Sequence, residues 1–158
     1  MDSMIKKLVE RAYYEVLAAE VLKKSSEDVK VKEEFDLSSE VTFYSSVISH
    51  SYYAIFYSAK AILLSKGVET SSPNVHKATF DAFKEKLVDT GILDLELLDI
   101  YRRIVVRADA LLEIFRDEKK KRGEFTYNTI SQANKGPAED SLNNAKVFVF
   151  NINKVLRG

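Results

Sequence analysis

The chain has 158 residues and balances 24 Lys and Arg against 24 Asp and Glu, so its formal net charge is zero. This balance argues against a surface that grips nucleic acid nonspecifically, although a local basic patch is compatible with it. The absence of cysteine excludes disulfides, thiolate metal sites and cysteine nucleophiles. The length suits one domain with its own core, and we expect residues 1–158 to form a single domain.

The amino-terminal residues and the hydropathy pattern give no sign of export or of a membrane. Met1–Lys7 leads into mixed charged and apolar residues rather than into the apolar segment of a signal peptide. No apolar run approaches the roughly 20 residues that span a bilayer. We therefore expect a cytoplasmic protein. The two histidines form no His-x-x-x-His pair, so we expect no bound metal, and nothing indicates another cofactor.

The first predicted helix runs from Asp2 or Ser3, either of which can cap it, to about Lys24. Its apolar face consists of Ile5, Leu8, Ala12, Val16 and Ala19. Residues 25–39 give a weaker signal. Within them, residues 29–32 alternate as in a strand, but the run is short and has no partner elsewhere, so we predict a connection.

The second predicted helix is central to the fold. It starts at Ser38–Glu40 and runs to about Ser65, and Gly67 is a natural residue to end it. Apolar side chains cover most of its circumference: Ile48, Tyr52, Ile55, Phe56, Ala59, Ile62 and Leu63. Small side chains form an adjacent stripe that another backbone could approach closely: Ser51, Ala54, Ser58 and Ala61. Such a helix lies inside a bundle or between two chains.

Three more helices follow. The third begins at Ser72–Pro73, extends to about Thr90 and ends at Gly91. The fourth begins near Asp94 and could continue to Lys121. Its apolar residues recur in steps of three and four, as in antiparallel bundles: Leu98, Tyr101, Val105, Ala108, Leu112 and Phe115.

The last predicted helix starts at Pro137, after an irregular polar loop over residues 127–136. Its buried face consists of Leu142, Ala145, Val149, Ile152 and Leu156. The sequence therefore predicts an all-α protein, an up-and-down antiparallel bundle of about five helices with almost no strand content.

Two features are candidates for a functional site. The segment Arg122–Tyr127 follows the basic run Lys119–Lys121 and could hold a phosphate and stack a base. A solvated helix tail is the simpler interpretation, and residue chemistry alone favours it. His76, in the first turn of the third helix, could act as a base or contact a ligand, although a structural histidine is the commoner case. No Ser-His-Asp arrangement, nucleotide-binding glycine loop or metal-ligand cluster is visible.

Several segments together resemble HEPN domains (higher eukaryotes and prokaryotes nucleotide-binding). Ser51–Phe56 followed by Ala61–Leu64 is similar to the central helix of that family. The match continues in order with His76, with Arg122–Tyr127 against the family's Arg-x-x-Ala-Asp-Tyr turn, and with a final helix over Ala138–Val149. The resemblance covers most of the chain beyond residue 40.

The resemblance implies an antiparallel helical bundle that forms homodimers through its central helices. Many prokaryotic members act with a minimal nucleotidyltransferase as a toxin–antitoxin pair. Active toxins of the family are metal-independent ribonucleases that carry an arginine and, four to six residues later, a histidine. Here Arg122 is followed at the fifth position by Tyr127, and a tyrosine with a pKa of about 10 is a poor base at neutral pH.

The leading hypothesis is a HEPN-type dimeric module that binds a nucleotide or RNA and works with a nucleotidyltransferase, with the ribonuclease histidine missing. The candidate contact residues are Arg122, Tyr127, Lys120, Lys121 and His76. The candidate dimer-interface residues are Ser51, Tyr52, Ala54, Ile55 and Ser58. The alternatives are a ribonuclease toxin with a divergent site, in which Tyr127 or His76 replaces the missing histidine, and a purely structural protein-interaction bundle.

Overall fold

The computed structural model describes the backbone of residues 1–121 and 135–158, and the side chains of 1–111 and 135–158. In these ranges every regular element is helical. The elements are α1 (Ser3–Glu27), α2 (Val29–Glu34), α3 (Tyr44–Ser65), α4 (Val75–Phe83) with a π-helical turn (Lys84–Val88), α5 (Leu95–Lys121) and α6 (Lys135–Arg157). The all-α prediction is confirmed, and α3 packs against α1, α4, α5 and α6.

Side-chain caps explain where the first two helices begin. The Asp2 carboxylate accepts a hydrogen bond from the Met4 amide at 2.7 Å at the start of α1. Asp28 does the same for α2, accepting from the amides of Lys30 and Val31. Helix α2 lies where the sequence predicted only a connection. A cap of this kind stabilises the start of a helix as short as α2 even though its residues alternate as in a strand.

The core lies around α3, whose side chains are covered on almost every side. Val47, Ala54, Ile55 and Ile62 of this helix have no exposed surface. The helix begins at Tyr44, four to six residues later than predicted. Residues 39–40 form a turn and residues 41–43 have no regular structure, and Ser26 Oγ accepts a hydrogen bond from the Phe43 amide just before the helix. Its end agrees with the prediction, since Gly67 adopts a positive φ of 76°.

The third predicted helix is shorter than expected. Helix α4 starts at Val75 rather than at Pro73, and regular α-helix stops at Phe83. The π-helical turn then carries the chain to Val88, and Phe83 and Leu87 are both fully buried. A π turn inserts one extra residue per turn and so shifts which side chains face the core.

Helices α5 and α6 close the bundle. The rings of Phe83, Tyr101 and Phe148 form one aromatic cluster with centroids 5.4 to 5.8 Å apart. Arg107 joins the two helices by donating to the Pro137 carbonyl at 3.3 Å, and its guanidinium also contacts Ser141 and Asp140. Helix α6 begins two residues earlier than predicted, at Lys135.

Helix α1 runs antiparallel to α3, as the pairing of residues along them shows. Glu15 and Arg11 of α1 contact His50 and Tyr57 of α3, in opposite chain order. Across the described residues, no helix combines the length and the apolar character that crossing a lipid bilayer requires.

Candidate functional site

A cleft of about 530 Å³ opens between α3, α4 and α5. Aromatic rings, aliphatic side chains and a few charged groups make up its walls. The residues that line it are Ser49, Tyr52 and Tyr53 of α3, His76, Lys77 and Phe80 of α4, and Val105, Ala108 and Asp109 of α5. A mostly apolar cleft with a small number of polar groups is the usual form of a ligand-binding site.

His76 is the polar centre of this cleft. Its Nδ1 atom and the Tyr52 hydroxyl are joined by a hydrogen bond of 2.7 Å. The imidazole lies over the ring of Phe56 with a centroid separation of 4.4 Å, and the ring of Tyr53 meets it edge-on at 6.1 Å. Tyr52 therefore engages Nδ1 in either tautomer, which leaves Nε2 as the ring nitrogen for a ligand.

The surroundings of the cleft favour the neutral forms of both hydrogen-bonded side chains. Partial burial, and then the positive charge of Lys60, lower the pKa of His76. Burial raises the pKa of Tyr52, and the nearby Tyr53 and Asp109 raise it further. At neutral pH the pair is therefore an uncharged phenol and an uncharged imidazole. The Lys60 ammonium lies 5.7 Å from the Phe56 ring centroid, a cation–π distance.

A second cluster of ionisable groups joins α1 to α3 outside the cleft. The buried carboxylate of Glu15 hydrogen-bonds to His50 Nδ1 at 2.5 Å and accepts from Arg11 Nε at 3.1 Å. The Arg11 guanidinium also lies 5.4 Å from the centroid of the Tyr57 ring. His50 therefore hydrogen-bonds within the bundle.

Of the five predicted contact residues, the structure places His76 in the cleft. Arg122 and Tyr127 lie outside the described residues. Lys120 and Lys121 lie in the last turn of α5, the helix whose middle lines the cleft, and their side chains lie outside the described part.

Sequence reasoning missed Asp109 and the pairing of His76 with Tyr52. Asp109 is one of many carboxylates on helix surfaces, and no local pattern distinguishes it from the others. The partners in the His76–Tyr52 hydrogen bond are 24 residues apart. Helical spacing places Tyr52 on the apolar face of the central helix, but it does not reveal which neighbour covers its ring.

The predicted dimer-interface set needs a correction. Ser51, Ala54, Ile55 and Ser58 are at most 1% exposed, because the protomer's own helices cover them. The stripe of small residues is therefore used inside the bundle, and these four side chains have no surface left for a second copy. Tyr52 is partly exposed. A partner helix at α3 would have to contact Tyr52 or its exposed neighbour Tyr53.

A metal site was not expected from the sequence. Within residues 1–111 and 135–158, no three His, Asp or Glu side chains are grouped so that they could hold a metal ion. The cleft itself offers one imidazole and one carboxylate, His76 and Asp109.

Comparisons with known proteins agree on one family. The family model described as "HEPN domain" matches residues 18–154. Two proteins of Methanocaldococcus jannaschii, both named "Putative toxin", are similar: one is 30% identical over 114 residues, covering 72% of each chain. The other is 32% identical over 81 residues, 48% of this chain and 53% of the relative, so that relative is matched over only about half its length.

A third relative comes from Thermotoga maritima. It is named "UPF0332 protein" and is 28% identical over 111 residues, which are 70% of this chain and 71% of the relative. No solved structure gives a significant match.

Proposed function

This chain belongs to the HEPN domain family, and we propose that it is a toxin-like, dimeric module that binds single-stranded RNA or a nucleotide and acts with a nucleotidyltransferase. Two relatives that carry the name "Putative toxin" support the toxin-like setting. The observation that carries the binding role is the aromatic cleft around His76.

The chemistry of the cleft suits an unpaired nucleobase. Every base has an apolar face that stacks on aromatic side chains, and such stacking contributes about 1–3 kcal/mol per base. The rings of Tyr53 and Phe80 provide that surface. The neutral imidazole of His76 can exchange a hydrogen bond with a base edge or a ribose hydroxyl through Nε2.

Groups at the mouth of the cleft suit a phosphate. Helix α4 begins there with His76 and Lys77 in its first turn, and no side chain caps it. The amides of a first helical turn have no intrahelical partner and attract anions. The ammonium groups of Lys77 and Lys60 add positive charge near the mouth. The charge of Lys77 is partly balanced by the Asp81 carboxylate, whose oxygen lies 2.8 Å from the Lys77 ammonium nitrogen. Because the chain as a whole has a net charge of zero, the attraction for a phosphate has to come from local groups such as these.

Binding can be tested with fluorescein-labelled six-nucleotide RNA and with ATP, titrated against the full chain in anisotropy and calorimetry experiments. We expect micromolar to millimolar binding that weakens about 10-fold or more in Tyr53→Ala, because one stacking surface is lost. Tyr13→Ala removes another exposed tyrosine, from α1, and should leave affinity unchanged. If neither RNA nor ATP binds, the proposal is wrong.

The positive segment at the end of α5 provides a second test of the same role. Arg122→Ala and Tyr127→Ala should weaken RNA binding if this segment and the cleft belong to one surface. If both variants bind RNA with normal affinity, the binding surface is confined to the cleft.

A ribonuclease is the second candidate, and the Tyr52–His76 pair is the observation that favours it. A neutral imidazole whose Nδ1 is held by a phenol could accept the proton of a ribose 2′-hydroxyl at Nε2 in the tautomer that leaves this atom unprotonated. The 2′-oxygen would then attack the phosphorus, and the bond to the 5′-oxygen would break as that oxygen takes up a proton. Total RNA incubated without metal ions separates the two candidates, since only a ribonuclease gives degradation that His76→Ala abolishes.

A further inference from the structure

We infer that the cleft selects guanine, and that the carboxylate of Asp109 reads the edge of the base. This inference rests on the proposed function, because it names which base the proposed RNA- or nucleotide-binding cleft accepts.

The aromatic walls do not by themselves distinguish one base from another. Tyr53 and Phe80 contribute aromatic rings to the lining, and an aromatic ring stacks on purines and pyrimidines alike. Val105 and Ala108, on the α5 side, present only aliphatic carbons. Any strong preference must therefore come from a polar group that meets the edge of the base.

Asp109 is the acidic group among the residues that line the cleft. Among residues 1–111 and 135–158, no side chain or backbone group forms a hydrogen bond or ion pair with its carboxylate, so no described group competes with a base for its oxygens. The carboxylate is near enough to the Tyr52 hydroxyl to raise the pKa of that phenol. The Tyr52 hydroxyl is already hydrogen-bonded to His76. It therefore does not serve as the hydrogen-bond partner of the Asp109 carboxylate.

An ionised carboxylate accepts hydrogen bonds and donates none. The Watson–Crick edge of guanine presents two neighbouring donors, N1–H and N2–H, which match its two oxygens. Adenine and cytosine present one donor beside an acceptor nitrogen, and uracil presents one donor between two carbonyl oxygens. If any of these three bases faced the carboxylate, a lone pair of the base would lie opposite one of the carboxylate oxygens and repel it. A good bidentate pair discriminates by about 10- to 100-fold.

A purine with its Watson–Crick edge exposed occurs in single-stranded RNA and in free nucleotides, and the two sources can be separated. GMP, AMP, CMP and UMP are titrated individually against the full chain, followed by six-nucleotide oligouridylate with and without one central guanine. We expect GMP to bind about 10- to 100-fold more tightly than the other three. IMP, which lacks the N2 amine, should lose most of that advantage. Preference for the guanine-containing oligonucleotide over GMP would identify RNA as the source.

The matched variants are Asp109→Asn and Asp99→Asn. Both lie on the exposed surface of α5, but Asp99 faces Arg102, 3.8 Å away, and does not line the cleft. Asp109→Asn should bring the affinity for GMP down to that for AMP, while Asp99→Asn keeps the preference. Far-ultraviolet circular dichroism should show both folded, since an exposed polar replacement does not disturb the core.

The outcomes distinguish this inference from the function on which it rests. If no nucleotide or oligonucleotide binds, the proposed function fails and the inference fails with it. If all four nucleotides bind with similar affinity, or if Asp109→Asn keeps the preference for GMP, only the guanine inference is overturned.

Discussion

Glu15 shows how a single carboxylate can hold two helices together. It is 6% exposed, yet its two oxygens are used by Arg11 of its own helix and by His50 of α3. A buried carboxylate is costly unless it is paired in this way. The cluster therefore helps to fix how α1 lies against α3.

Glu15→Gln should lower the free energy of unfolding by about 1–3 kcal/mol at pH 7, because a charge-assisted hydrogen bond is lost and a buried donor is introduced beside Arg11 and His50. Urea unfolding followed by circular dichroism measures the change. Glu10→Gln removes an exposed carboxylate of the same helix and should alter stability by less than about 0.5 kcal/mol. Equal effects of the two replacements would contradict the structural role of Glu15.

His76 should remain neutral to a lower pH than a free histidine. The chain has only two histidines, so in His50→Gln the remaining imidazole can be followed by proton NMR. Its midpoint should fall below the ordinary value of about 6.5, and Lys60→Gln should raise it by removing a positive neighbour. Lys86→Gln, at an exposed position of the π-helical turn, should leave the midpoint unchanged.

The sign of the effect on folding follows from linkage. The unfolded chain binds a proton at His76 more readily than the folded chain, so this group's contribution to stability is present above pH 6.5 or so and is lost as the pH falls through the folded pKa. A midpoint of His76 above 6.5 would contradict both the burial and the Lys60 effects.

At the scale of elements, α3 is the helix on which the others pack. The π-helical turn after α4 contributes Leu87 to the core beside Phe83 of α4. Burial of α3 is deepest at Ala54, Ile55, Ala59 and Ile62, which have no exposed surface. Substitutions there report on the fold of the protomer and not on assembly.

Ile55→Ala should destabilise the chain by about 2–5 kcal/mol, since it removes buried carbon atoms and leaves a cavity. Ala54→Asp should prevent folding, because an unpaired charge would lie in the core. Ser49→Ala, at an exposed position of the same helix, is the control and should be nearly neutral. Thermal and urea unfolding measure all three, and a folded monomer from Ala54→Asp would show that this residue is an interface position after all.

At the scale of the whole molecule, the exposed aromatic side of α3 is the part of the central helix that remains for a second copy. Tyr53 is 38% exposed and stacks on Tyr57 at 6.2 Å, and Arg11 lies over Tyr57. Tyrosine and arginine are enriched at protein interfaces. The homodimer stays a prediction, now with Tyr57 and Arg11 at its interface, while Tyr53 lines the cleft.

Light scattering should give a mass of twice 18.0 kDa for the chain. Tyr57→Glu should reduce it to the monomer mass while circular dichroism stays unchanged, because a charge is placed on the exposed side of α3 and not in the core. Tyr14→Glu, at an exposed tyrosine of α1, should remain dimeric. A monomeric wild-type chain would rule out the dimer.

The sequence by itself determined where the helices lie and that they form a bundle. Apolar side chains at steps of three and four marked the buried faces of α1, α3, α5 and α6, and Gly67 and Gly91 marked helix ends, because these signals are local in the chain. The boundaries that differed depended on Asp28, Ser26 and the π-helical turn. The contacts of Asp28 and Ser26 and the geometry of the π-helical turn favour one helix boundary over others that the sequence pattern also allows.

Only the tertiary structure decided what covers each face and which side chains meet. A periodic stripe shows that Ser51, Ala54 and Ser58 share one side of a helix, but it cannot tell an internal neighbour from a second copy. Likewise, His76, Tyr52 and Asp109 come from three helices, and their proximity arises from packing between residues far apart in the chain. Helical periodicity acts over a few residues, whereas a binding cleft is a property of the assembled bundle.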